Sequence, residues 1–169
     1  PSILLWSSTS LLVLVMSLGN CSLIFPVVAP FSDLPAPTGP YSVATYSSTW
    51  TDSSRDETFT TEDDYRRLVV QTWFPIEKQE GLSALPYIDD PELRLPAIAK
   101  QLRLPLSLIH HFGEVKTHSS PSSANLELDL KFPVIIFSHG LSGMRFQNTS
   151  IIEELVSYGY VVFAADHSY

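Results

Sequence analysis

Apolar and polar residues change pattern several times along this chain. Residues 1–32 are dominated by Leu, Val, Ile and Phe and carry no charge; the first charged side chain is Asp33. Residues 41–50 and 68–74 are rich in Tyr, Thr, Val and Trp with a partial period of two, which predicts two strands. They are expected to pair antiparallel across the polar residues 51–67, with Pro75 ending the second. Residues 75–130 are interrupted by Pro75, Pro86, Pro91, Pro96, Pro105 and Pro121. One helix fits there, over 91–102, with Leu93, Leu95, Ile98 and Leu102 roughly on one face and Pro96 kinking it or marking its first turn.

The pattern sharpens from Phe132. Val134-Ile135-Ile136-Phe137 is an unbroken apolar run, as in a parallel strand buried on both faces. A glycine-rich turn, Ser138-His139-Gly140-Leu141-Ser142-Gly143, follows it. Ser150-Ile151-Ile152-Glu153 fits a capping box, and Ile151, Ile152, Leu155 and Val156 predict one apolar helical face. Gly159 is placed to end that helix, and Tyr160-Val161-Val162-Phe163-Ala164-Ala165 reads as the next strand. Strand, turn, helix and strand make a βαβ unit, so the expected class is α/β.

Composition bounds the function. A length of 169 residues allows one ordinary domain, or an anchor with a smaller domain. With 10 Lys+Arg against 18 Asp+Glu and a net charge of -8, the chain has no basic patch for phosphates, which argues against nucleic-acid binding. Cys21 alone excludes an internal disulfide framework and a cysteine-rich zinc module. Residues 3–25 are long and apolar enough to span a bilayer, which takes about 20 residues, with Trp6 and Phe31 near the interfaces. Residues 1–32 are therefore expected to be a membrane anchor. A cleaved signal segment, leaving a secreted protein, is the alternative, and lipid attachment at Cys21 fits less well because Asn20 precedes it. Without flanking Lys or Arg the side of the membrane is not assigned. Pro26, Pro30, Pro35, Pro37 and Pro40 punctuate the way out of the apolar segment, and residues 33–40 read as a stiff connector. The folded part is expected over 41–169. Since the chain starts at Pro1 and stops at Tyr169, just after a strand-like run, it is expected to be part of something longer.

Open α/β sheets bind ligands beyond the carboxyl ends of their strands, where residues 138–143 and 166–169 fall. Gly140 and Gly143 let backbone N–H groups turn outward, as an oxyanion hole requires; the bland reading is a tight turn between strand and helix. Asp166 and His167 are adjacent, so their side chains point to opposite faces of an extended chain, and His167 is expected at the site rim or in a structural bond. His110-His111 has no carboxylate or cysteine at ligand spacing, so no metal is expected there. Glu62-Asp63-Asp64 reads as a solvated loop, and the sequons at Asn20 and Asn148 fall in the apolar segment and at a helix start. Ser142 and Ser83 each have a glycine two residues before but none two residues after, so neither lies in a G-x-S-x-G elbow.

Phe137-Ser138-His139-Gly140-Leu141-Ser142-Gly143-Met144-Arg145, then Glu154-Leu155-Val156-Ser157-Tyr158-Gly159-Tyr160-Val161-Val162 and Asp166-His167, resemble the platelet-activating factor acetylhydrolase family (plasma and isoform II type). Leu34-Pro35-Ala36-Pro37-Thr38-Gly39-Pro40-Tyr41 resembles the start of that family's catalytic domain, and Arg67-Leu68-Val69-Val70-Gln71-Thr72-Trp73-Phe74-Pro75 its second strand. Pro86-Tyr87-Ile88 and Lys116-Thr117-His118 are similar to its bacterial-type members. The resemblance implies the N-terminal half of an α/β-hydrolase, with residues 41–169 lacking the C-terminal half. It implies a serine esterase that removes short or oxidised sn-2 acyl groups from phospholipids, with a Ser-His-Asp triad and no metal or organic cofactor. It assigns one oxyanion N–H to Leu141, with His139 and Gly140 shaping the loop, and puts nucleophile, acid and base after residue 169. Expected partners are a phospholipid or small ester, and a membrane through residues 3–25. A general short-chain carboxylesterase and a non-catalytic, membrane-tethered binding module are the alternatives.

Overall fold

Branched and aromatic side chains suit a pleated surface, and the two stretches rich in them become the first two strands. In the computed structural model, which describes residues 31, 33–62, 64–122, 131–140 and 143–167, β1 is Ser42–Asp56 and β2 is Tyr65–Ile76. They pair antiparallel, Val43 opposite Pro75 and Trp50 opposite Leu68. Both run further than expected. Thr51 pairs with Arg67 and Asp52 with Arg66, so part of the expected loop is a polar extension of the hairpin, held by the backbone ladder and an opposite-charge pair across the strands. Pro75 does not end β2, because the pairing with the neighbour on its other side stops at Trp73 and proline's missing donor is tolerated at a free edge.

Three shorter strands complete one sheet: β3 (Ser119–Pro121), β4 (Val134–Phe137) and β5 (Val161–Ala165). The order is β3-β1-β2-β5-β4. β4 and β5 are parallel neighbours, Val134 opposite Val161, joined through α3 (Thr149–Ser157) as the βαβ reading requires. β5 lies antiparallel to β2, and β3 parallel to β1. Gly159 follows α3 with a φ of 92°, the left-handed conformation that glycine adopts without strain.

One face of the sheet packs on α3. Val43, Trp73, Val162 and Ala164 meet Ile152 and Val156, with Ile135 and Phe137 against them. Full burial of a valine or isoleucine side chain here stabilises the fold by about 1.5–3 kcal/mol. Three expectations fail here. Ile151 is exposed, so the apolar face of α3 is narrower than the sequence implies. The capping box does not form either: Asn148 caps the helix without a side-chain bond, and Glu153 turns inward to accept from His118 N–H and Ser119 Oγ–H. β4 is also not buried on both faces, since Val134 and Ile136 are 60% and 83% exposed.

Residues 34–41 lie along α3 as a strap. Thr38 donates to Glu154 through its N–H and its hydroxyl, Gly39 N–H reaches Ser157 Oγ, and Tyr41 N–H reaches Ser157 O. At the other end His118 Nε2–H donates to Leu34 O at 2.9 Å. Only glycine fits at position 39, because a Cβ there would stand 2.1 Å from the Ser157 carbonyl oxygen.

The chain divides into two compact units, and all of the above belongs to the larger, Leu34–Tyr87 with Lys116–Tyr169. The smaller contains Ile88–Val115 with Phe31 and Asp33. Its helix α1 is Pro91–Leu102, as predicted, with Pro91 in the first turn and Pro96 accommodated inside. Leu95 and Ala99 are its buried positions. Leu93, two residues from Leu95, turns to the opposite side, and Leu102 is exposed at the helix end, which corrects the expected stripe. A short α2 (Leu106–Ile109) and a 3-10 turn (His110–Glu114) follow, and Phe112 meets Phe31 edge to face at 5.0 Å. Gly113 packs closely on Pro91 and Leu95.

Candidate active site

Because β4 and β5 run parallel, their carboxyl ends fall side by side, and the turn after β4 faces the residues after β5. Asp166 and His167 diverge there as their alternation demands. Asp166 Oδ1 accepts from the Arg145 backbone N–H at 2.9 Å, and its Oδ2 pairs with the Arg145 guanidinium. Arg145 is almost wholly buried, so this pair is structural rather than substrate-facing.

His167 goes the other way. Its Nε2 is hydrogen-bonded to Ser138 Oγ at 2.9 Å, and its backbone N–H donates to His139 Nε2 at 3.1 Å. Since His139 Nε2 accepts, the proton of this neutral imidazole sits on Nδ1, from which it is donated to Gly140 O at 2.9 Å. Gly143 N–H reaches the same carbonyl, also at 2.9 Å. The two imidazoles lie 4.2 Å apart, centroid to centroid. Gly143 is required, because a Cβ would fall 2.4 Å from Gln147 Oε1 and 2.9 Å from His139 Cβ. Among the described residues, nothing stands within 4 Å of the place a Cβ would take at Gly140.

Tyr87 supports the turn from below, its hydroxyl donating to Gln147 O at 3.3 Å and its ring standing edge-on to Phe146. Burial pushes the Tyr87 phenol above its ordinary range, so it stays a neutral donor. The result is a turn with a doubly bonded Gly140 carbonyl.

Of the sequence-predicted residues, His139 and Gly140 are in this turn, while Leu141 and Ser142 lie outside the described residues. Ser83 is exposed. His111 packs on Phe112 in the smaller unit, and among the described residues no three His, Cys, Asp or Glu side chains converge to hold a metal. Glu62 is exposed, Asp64 accepts from Thr60 Oγ–H, and Asp63 lies outside the described residues. The apolar segment 3–25 and Cys21 also lie outside them; no described helix is long and apolar enough to cross a membrane. Sequence reasoning missed the Ser138–His167 contact. The signal for it is that both residues directly follow strands predicted to be parallel neighbours.

The family model described as platelet-activating factor acetylhydrolase, isoform II, matches residues 27–168. The chain belongs to that family. Within this acetylhydrolase family it is similar to the platelet-activating factor acetylhydrolase of Cavia porcellus, 41% identical over 56 residues that cover 33% of this chain and 13% of that protein. Its fold is similar to a ferulic acid esterase from Streptomyces cinnamoneus, with a TM-score of 0.61 and 24% identity, covering 80% of this chain and 36% of that one. The chain thus spans well under half the length of both. The mixed sheet with its parallel β4–α3–β5 unit is a partial α/β-hydrolase fold.

Proposed function

We propose that this acetylhydrolase-family chain contributes the oxyanion side of a serine esterase, which removes short or oxidised sn-2 acyl groups from phospholipids such as platelet-activating factor. One observation carries the reading: in a member of this family, the Gly140 carbonyl is held by both His139 Nδ1–H and Gly143 N–H beside the carboxyl end of β5. In the proposed reaction a serine hydroxyl attacks the ester carbonyl, and a histidine takes its proton and passes it to the leaving alcohol. The resemblance assigns both groups, with the aspartate that orients the histidine, to sequence following residue 169. Negative charge gathers on the carbonyl oxygen as the tetrahedral intermediate forms, and Leu141 N–H stabilises it, with His139 and Gly140 setting the loop. No residue in this scheme needs a metal or a redox group. Residues 3–25 hold the domain at a membrane, where a phospholipid substrate is met.

The test is hydrolysis by the protein that contains these residues together with whatever follows them. Release of acetate from an acetylated ether phospholipid, abolished by a serine-reactive phosphonate, is expected. Turnover of soluble short-chain esters alone would replace the substrate class with a general carboxylesterase. Absence of any phosphonate-sensitive turnover would leave a binding module and overturn the enzyme reading.

A further inference from the structure

We propose that His118 and Glu153 form a proton-controlled latch on the strap: while the Glu153 carboxyl is neutral, residues 117–120 stay seated on α3 and hold Leu34, and when it ionises they lift and let the strap go with the rest of the sheet intact. One residue touches both parts. The His118 backbone N–H donates to Glu153 Oε1 at 2.8 Å, and its ring Nε2–H donates at 2.9 Å to the carbonyl of Leu34, where the strap begins. Ser119 Oγ–H reaches the same carboxyl oxygen at 2.5 Å. The strap's further links, from Thr38, Gly39 and Tyr41, run to Glu154 and Ser157, one position and one turn beyond Glu153 on the helix.

Glu153 is fully buried, and its Oε2 has no hydrogen-bond partner among the described residues. Ionised there, that oxygen would carry charge with no donor beside it, which a dry site does not tolerate. Water has to reach it. The helix does not give way, because Ile152 and Val156 are locked into the core of the sheet. The weaker side is β3, three residues long at one end of the sheet, paired with β1 over Val43–Thr45 and otherwise bonded to Leu85, a loop residue. Short, lightly anchored segments open first. Burial makes the Glu153 carboxyl hold its proton more tightly than usual, so the opening falls on the rising side of pH.

The groups around the carboxyl leave it as the trigger. His118 is the titratable side chain that acts on it from the opposing segment. The sheet presents Val43, Trp73, Val162 and Ala164 to α3, none of which titrates. Glu154 is held ionised by its bonds from Thr38, below its ordinary 4.5, so it keeps one charge state above that pH. Titration of His118 does not work the latch either. Its Nε2 bears a proton in this neutral tautomer and in the charged ring alike, so the bond to Leu34 persists.

The experiment is hydrogen exchange of the full-length protein from about pH 4.5 to 8.5, read by mass spectrometry. Peptides covering the strap and residues 117–120 are compared with peptides covering β2 and β5. Glu153→Gln, which keeps the shape and does not ionise, is read at the same pH values so that intrinsic rates cancel. In the unmodified protein, exchange of the Thr38, Gly39 and Tyr41 amides and of 117–120 should gain on the sheet by up to about tenfold per pH unit once Glu153 ionises, as one proton allows. Glu153→Gln should show no such gain. His118→Ala should speed exchange of the strap at every pH and stop it following pH. A strap-to-sheet ratio that is flat across pH would overturn the latch. So would a rise shared equally by β2 and β5, a rise that persists in Glu153→Gln, or a strap that still follows pH in His118→Ala. Should Glu153→Gln not fold, the ratio within the unmodified protein and His118→Ala decide.

Discussion

Glu153 is fully buried on α3, where its Oε1 accepts from His118 N–H at 2.8 Å and Ser119 Oγ–H at 2.5 Å, while its Oε2 has no hydrogen-bond partner among the described residues. Burial raises its pKa above the ordinary 4.5, against the opposing pull of the Ser119 and His118 contacts. The native carboxyl therefore holds its proton more tightly than the same group in the unfolded chain. Its contribution to stability is complete below about 4.5 and is lost as pH rises through the native value. Urea midpoints for the unmodified chain should fall over that window, and Glu153→Gln, which mimics the protonated form, should flatten the fall. Midpoints of the two proteins that stay a constant distance apart across pH would refute this. Glycine 39 gives a second test at this scale. Gly39→Ala drives a methyl into the Ser157 carbonyl and should cost about 1–3 kcal/mol in the same assay.

Among the described elements, β3 and β4 are the two edge strands of the sheet, and β4 is the apolar one. It pairs with β5 on one side, and Val134 and Ile136 stand outward from it, so the described residues present an apolar edge. Such an edge templates pairing with other chains. This chain alone should aggregate at micromolar concentration, and Ile136→Lys should suppress that in a light-scattering assay without changing the circular dichroism; equal scattering by both would argue against the edge as the cause. Legibility varied by element for physical reasons. The βαβ unit could be read because its strands are apolar throughout and a glycine closes its helix. Residues 51–56 and 65–67 read as a loop in the sequence because a hairpin arm in water needs only its backbone ladder, and Asp52 opposite Arg66 carries no hydrophobic signal. The inward turn of Glu153 was hidden by a motif that promised a cap, since its partners His118 and Ser119 lie 35 and 34 residues away in sequence.

For the whole molecule, the candidate site was half visible. His139 and Gly140 stand out as a strand-ending motif, but the tautomer of His139 depends on the amide of His167, 28 residues on, and no spacing rule reveals it. The membrane role proposed for residues 3–25 is checked by fractionation. The protein should stay with the pellet after carbonate washing, and release of the intact chain would exclude a spanning segment.

The strap over α3 has a mechanical consequence for a chain tethered by its N-terminus. Force entering before Leu34 meets His118–Leu34, Thr38–Glu154 and Gly39–Ser157 before it meets β1, so the strap takes the load first and the hairpin is shielded. The strap acts as a fuse. Pulled by its ends in a force spectrometer, the larger unit should first release about 25–30 Å, roughly eight residues at up to 3.6 Å each, before the sheet yields. Thr38→Val should lower the force of that first event and leave the second unchanged.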